Sequence, residues 1–185
     1  YATRLMADLG AEVIKIEPPE GDHIRSRPPQ REGHSTYFAQ LNCGKKSLAL
    51  DLKKSAAVAL VKQLVVTADV VVENYRPGVM QRLGLDYATL SALNPRLVYC
   101  SISGFGQTGD WAGRSAYAPV LHAGSGYDLA NLDYQDGIAR PLKNGIFIAD
   151  VLGGSLAFGA IQSALLRAAR TGQGDQVDLS LMDAM

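Results

Sequence analysis

Asp150 is the first residue whose type and setting could do chemistry. It stands at the head of the longest apolar run in the chain, with Gly153 and Gly154 just behind it. A carboxylate at a helix N-terminus is held ionised by the unpaired N–H groups and the helix dipole, so it is available as a nucleophile. The glycines would leave room for a bulky substrate to approach. The same pattern also suits an ordinary aspartate N-cap. Asn74-Tyr75 closes a β-branched run and is followed by Arg76-Pro77-Gly78. An amide and an aromatic ring there could hold a heteroaromatic group by hydrogen bonding and stacking. Asn and Pro-Gly are equally common turn residues.

Other constellations are weaker. Gly104-Phe-Gly-Gln-Thr-Gly109 fits the dinucleotide spacing G-x-G-x-x-G and follows a strand-like run. That motif works only when its last glycine opens a helix aimed at a pyrophosphate. Here the chain continues Asp110-Trp-Ala-Gly-Arg114 without helical periodicity, so a glycine-rich loop is the better reading. There is no Walker A sequence. His23, His34 and His122 share no ligand spacing, and no metal site is expected. Ser125 lacks the Gly-x-Ser-x-Gly setting of a hydrolase nucleophile.

The elements that would position these residues follow from periodicity. The opening residues read as the end of an amphipathic helix with Gly10 as its C-cap. Strands are expected at Glu12–Glu17, Ser47–Asp51, Asp69–Glu73, Leu97–Ser103 and Gln176–Ser180. Helices are expected at Ser55–Thr67, Val79–Leu83, Tyr87–Asn94 (capped by Asp86) and Asp150–Thr171. Residues 18–46 read as a long basic loop carrying Arg25, Arg27, Arg31, Lys45 and Lys46. Residues 104–126 give no clear period. Short apolar strands alternating with helices predict an α/β fold, its mostly parallel sheet covered on both faces. Ligands of such sheets sit beyond the carboxyl ends of the strands, after Glu17, Asp51, Glu73 and Ser103.

Bulk properties narrow the function. The 185 residues suit one domain, and 18 basic against 18 acidic side chains give no net charge. Nothing overall favours nucleic acid or an anionic membrane. Cys43 and Cys100 are far apart and read as reduced thiols of a cytoplasmic protein. The most apolar stretch, Val151–Leu166, is interrupted by Gly153, Gly154, Ser155, Gln162 and Ser163, so no membrane span is expected. Both ends look cut from a longer chain.

Taken in order, several blocks resemble the class III (CaiB/BaiF, formyl-CoA transferase-like) coenzyme A transferases. They are Leu9-Gly-Ala-Glu-Val-Ile-Lys-Ile-Glu17, Gly21-Asp-His-Ile-Arg25 and Lys46-Ser-Leu-Ala-Leu-Asp-Leu-Lys53. Ala68-Asp-Val-Val-Val-Glu-Asn-Tyr-Arg-Pro-Gly78, Leu93-Asn-Pro-Arg96 and Ser101-Ile-Ser-Gly-Phe-Gly106 continue the series. Ala149-Asp150 with its glycine pair and Thr171-Gly-Gln-Gly174 complete it. The resemblance implies that residues 1–185 are part of a Rossmann-like large domain, cut at both ends, from an interlocked homodimer. The family's small domain comes from sequence absent here.

The resemblance also implies the activity. CoA passes from an acyl-CoA donor to a carboxylic acid through a covalent aspartyl intermediate, with CoA as substrate and no permanently bound cofactor. The aspartate falls on Asp150, and Tyr117 falls near the reacting centre. Arg25, Lys53 and Arg82 match CoA phosphate contacts. Leu50, Asn74 and Tyr75 match adenine-side contacts, and Arg114 a further basic position. Members often carry an acidic residue after the Tyr117 position, where this chain has Ala118. The racemase branch places a histidine at Tyr117 itself. An α-methylacyl-CoA racemase-type enzyme and a non-catalytic acyl-CoA-binding fragment are the alternatives. Acceptor choice is expected to depend on residues Tyr127–Asn144 and on sequence beyond this chain.

Overall fold

A computed structural model describes residues 1–141 and 145–185. Helix α1 (Ala2–Asp8) ends where Gly10 adopts φ +94, the left-handed conformation that lets a helix stop. Strand β1 (Val13–Glu17) follows. It pairs in parallel with β4 (Lys45–Ala49), Val13 opposite Lys45 and Glu17 opposite Ala49. The expected strand at Ser47–Asp51 therefore lies two residues early. Leu50 still extends the ladder, its N–H donating to the Glu17 carbonyl at 2.8 Å.

The segment 18–46 holds more structure than a loop. A 3₁₀ turn (His23–Ser26) is capped by the Asp22 carboxylate, which accepts from Ile24 N–H. Strands β2 (Gln30–Arg31) and β3 (His34–Ser35) form a small hairpin, with Glu32 and Gly33 both at positive φ. Ser35 then caps α2 (Thr36–Asn42), its hydroxyl accepting from Phe38 N–H at 3.1 Å.

The second parallel sheet has the order β5 (Val70–Glu73), β6 (Val98–Ser103), β7 (Asp175–Ser180). Strand β6 is central and nearly all buried, so its alternating side chains meet both helical layers. Val98 and Cys100 pack with Ala2 and Met6 of α1 and with Ala157, Ile161, Ala164 and Ala168 of α8 (Ile148–Thr171). Leu97 and Tyr99 face the other way. They meet Val61 and Val65 of α3 (Ser55–Val65), Leu85, and Leu90 of α5 (Tyr87–Leu93). The Tyr99 hydroxyl donates to the Leu85 carbonyl, so its burial leaves no unpaired polar group. Each such fully buried aliphatic side chain contributes roughly 1.5–3 kcal/mol by leaving water. The mixed α/β fold with parallel sheets is as expected.

Between β5 and α5 lies α4 (Val79–Leu83). Residues 104–117 are irregular, as the glycine reading implied. No helix opens at Gly109; instead Gln107 N–H donates to the Asp178 carboxylate of β7. Helices α6 (Ala118–Gly124) and α7 (Tyr127–Leu132) then appear, the first with Pro119 in its opening turn.

Helix α8 begins at Ile148, two residues before the expected start. By length and composition it could cross a bilayer, contrary to the reading of its interrupted apolar run. Its small-residue face is packed against β6, β7 and α1, while Val151, Leu152, Leu156 and Leu166 on it are exposed.

Candidate active site

Asp150 is the third helical residue of α8 and is exposed. Phe147, not Asp150, occupies the N-cap, with no side-chain cap bond. The first-turn N–H groups are engaged: Ile148 N–H donates to the Ile146 carbonyl at 3.0 Å, and the Asp150 N–H to its own carboxylate. Ala149 is fully buried, and its N–H donates to His122 Nε2 at 3.3 Å. That bond requires an unprotonated Nε2 and ties the start of α8 to α6. His122 is itself buried, its ring meeting that of Tyr127 at a tilt of 49° with centroids 5.2 Å apart.

The neighbouring protein displaces water from the Asp150 carboxyl and pushes its pKa above the ordinary value. Its own backbone N–H and the Arg27 charge pull it back, and the loss of water outweighs them. A helix N-terminus alone would have moved it the other way.

The glycine pair does not leave space. A Cβ on Gly153 would lie 2.2 Å from Leu181 Cδ2, and one on Gly154 2.8 Å from Tyr1 Cβ. Both glycines let α8 press onto its neighbours, so the expectation that they make room for substrate is corrected.

Arg25 lies on the 3₁₀ turn and grips Glu17 at the end of β1. Its Nε donates to Oε2 at 2.7 Å and a terminal nitrogen to Oε1 at 2.8 Å. Glu17 is buried and also accepts from Asp22 N–H and the Ser47 hydroxyl. The Arg25 guanidinium beside it, with these further donors, holds its carboxyl down to about 2. Arg25 lies over Phe38 at 4.1 Å, in a shallow groove of about 380 Å³ lined also by His34, Ser35 and Asn42. Leu50 follows β4 and reaches the same Glu17 through its backbone. Lys53 is exposed on the turn into α3.

Asn74 and Tyr75 follow β5, as expected. Asn74 Nδ2 donates to the Ile102 carbonyl of β6, and Tyr75 N–H donates to Glu73 Oε2. Tyr75 is 46% exposed. Burial raises the Glu73 carboxyl above its usual range. Arg76 donates to the Ser115 hydroxyl at 2.8 Å, joining this turn to the loop that carries Arg114 and Tyr117. Arg114 lies over Trp111 at 4.7 Å. Arg82 is exposed on α4, near Gly78. Tyr117 is 76% exposed and caps α6 without a side-chain cap bond.

Three separate links join some of the candidates, and none of them includes Lys53 or Arg82. Glu17 joins Arg25 to Leu50, the Arg76–Ser115 bond joins Asn74-Tyr75 to the Arg114 loop, and α6 joins Tyr117 to Asp150 through His122. Sequence reasoning gave no role to His122, Tyr37 or Phe147, named Arg27 only as one charge of the basic loop, and used Glu17 only as the end of a strand. Arg27 lies over the rings of Phe147 and Tyr37 at 4.9 and 5.6 Å, and those two rings meet edge-on at 6.5 Å. Only the Ser35 cap hinted that Tyr37 would be held on a helix. Of the stretch expected to set acceptor choice, α7 and the following turns are described, and Leu142, Lys143 and Asn144 lie outside the described residues.

A family model, CoA-transferase family III, matches residues 1–185. The chain belongs to that family. It is 42% identical to the succinate–glutarate CoA-transferase of Agrobacterium fabrum, covering 99% of this chain and 47% of that protein. It is 44% identical to the acetyl-CoA:oxalate CoA-transferase of Acetobacter aceti, over 99% of this chain and 47% of the relative. A solved CAIB/BAIF family protein from Brucella suis superposes with a TM-score of 0.91 at 41% identity, over 100% of this chain and 49% of its own. The chain thus spans about half the length of the relatives it matches.

Proposed function

We propose that the protein containing this chain transfers coenzyme A between carboxylic acids, with Asp150 as its nucleophile. The observation that carries this reading is an exposed carboxylate in the first turn of α8, braced through His122 and flanked by Arg27, in a family III chain. The Asp150 carboxylate attacks the donor thioester carbonyl, forming an acyl–aspartyl anhydride and releasing CoA thiolate. The thiolate attacks the aspartyl carbonyl, giving an aspartyl–CoA thioester and freeing the donor acid. The acceptor carboxylate then opens this thioester to a second anhydride. The returning thiolate takes the acceptor acyl group and restores Asp150.

In this reading Arg25, Lys53, Arg82 and Arg114 receive the CoA phosphates, and Leu50, Asn74 and Tyr75 the adenine side. Tyr117 lies beside the reacting centre. Residues 1–185 form part of the large domain of an interlocked, cytoplasmic homodimer, whose small domain lies in further sequence. An Asp150→Asn variant of the full-length protein is expected to lose CoA exchange by on the order of 10⁴-fold. Exchange at the wild-type rate would end the proposal.

A further inference from the structure

The arginine beside Asp150 has a use that the transfer steps leave unassigned. Arg25 and Arg27 stand two residues apart but in different states. Arg25 is bound bidentately by Glu17. Arg27 is exposed and forms no salt bridge with any described residue. Its guanidinium is instead held over two aromatic faces, Phe147 at 4.9 Å and Tyr37 at 5.6 Å. Phe147 is the N-cap of α8, one helical turn before Asp150. The stacking fixes the guanidinium plane and leaves its N–H edge for an anion.

The chemistry of the relatives supplies the anion. Succinate, glutarate and oxalate, three of the acids in the names of the relatives described above, each carry two carboxylates, while the acetyl group in one of those names carries none. One carboxylate of such an acid is consumed in the thioester. The other stays charged throughout and needs a partner near the reacting carbon. We propose that Arg27, held by Phe147 and Tyr37, receives the distal carboxylate of a dicarboxylic substrate bound at Asp150, and so selects diacids over monoacids. This rests on the transferase reading of Asp150. Arg27 is also one of the charges that draw the Asp150 carboxyl down, which places the two within electrostatic reach.

The test uses the full-length enzyme and acetyl-CoA as the fixed donor, whose acyl group carries no second carboxylate for Arg27 to receive. Succinate is compared with monomethyl succinate, which has the same carbon chain and one charge fewer. Wild type is expected to prefer succinate in kcat/KM. In Arg27→Gln that preference should fall by about tenfold to a hundredfold, the usual range for a lost charge-assisted contact. Arg27→Lys should keep part of it, and the KM of the acyl-CoA donor should stay near wild type in both variants. An unchanged preference in Arg27→Gln overturns the proposal. So does a rise confined to the donor KM, which would make Arg27 a phosphate contact. A wild type that transfers no CoA to any acid overturns the transferase reading itself, a result distinct from either.

Discussion

Replacing Glu17 by Gln removes the carboxylate that organises the turn carrying Arg25. Glu17 is 3% exposed and accepts four hydrogen bonds: two from Arg25, one from Asp22 N–H and one from the Ser47 hydroxyl. Its carboxyl is held at about 2 against an ordinary 4.5, chiefly by the Arg25 guanidinium and against the cost of its burial. At about 1.4 kcal/mol for each tenfold in the ionisation constant, that fall is worth ~3 kcal/mol. Arg25 is 45% exposed, so solvent screens part of this, and a net loss of about 1–2 kcal/mol is the working figure. A carboxyl with a depressed pKa stabilises the fold above its unfolded value and loses that contribution as pH falls through its folded value. The stabilisation should therefore be complete at pH 7 and should fade between 4.5 and about 2. Thermal melts of wild type and Glu17→Gln across this range give the test. At pH 7 the variant should melt roughly 2–8 °C lower, at about 2–4 °C for each kcal/mol. The gap should close as the solution is acidified. No gap at pH 7, or a gap that persists undiminished at low pH, would refute the reasoning.

Further outcomes follow from close packing and from burial. A Cβ on Gly174 would lie 2.0 Å from the Leu97 carbonyl oxygen, which is backbone and cannot step aside. Gly174→Ala should cost several kcal/mol and show as a large drop in melting temperature or in soluble yield. Burial pushes the Cys100 thiol up to about 12, whereas Cys43 is exposed. Iodoacetamide on the native protein should label Cys43 and spare Cys100, as read by peptide mass mapping; labelling of Cys100 at a comparable rate would contradict its placement in the core.

The parallel sheet was legible because its strands are short apolar runs bounded by Gly, Pro and Asn, as at Val70–Glu73 before Asn74. The cap of Asp86 on α5 was legible too, since Asp86 accepts from Thr89 N–H as N-caps do. Helix α2 was not, because seven residues carry too few turns for a period to stand out among basic neighbours. The start of α8 was misread because aspartate is a strong capping signal, while tertiary packing let Phe147 take the cap instead. The glycine pair misled for a similar reason: a sequence shows that a side chain is missing, not what fills the gap. Here Leu181 and Tyr1 fill it. Arg27, Tyr37 and Phe147 meet across more than a hundred residues of chain, so no local pattern could have grouped them. Family blocks placed Asp150 and the basic positions in order, but the brace from His122 to Ala149 is visible only in three dimensions.

Chemical trapping of the acylated enzyme tests the central claim most directly. The full-length protein is incubated with an acyl-CoA donor, quenched with hydroxylamine and mapped by peptide mass spectrometry. The account predicts a hydroxamate on Asp150 that depends on the acyl-CoA. A donor-dependent adduct on another residue, with Asp150 unmodified, would contradict it.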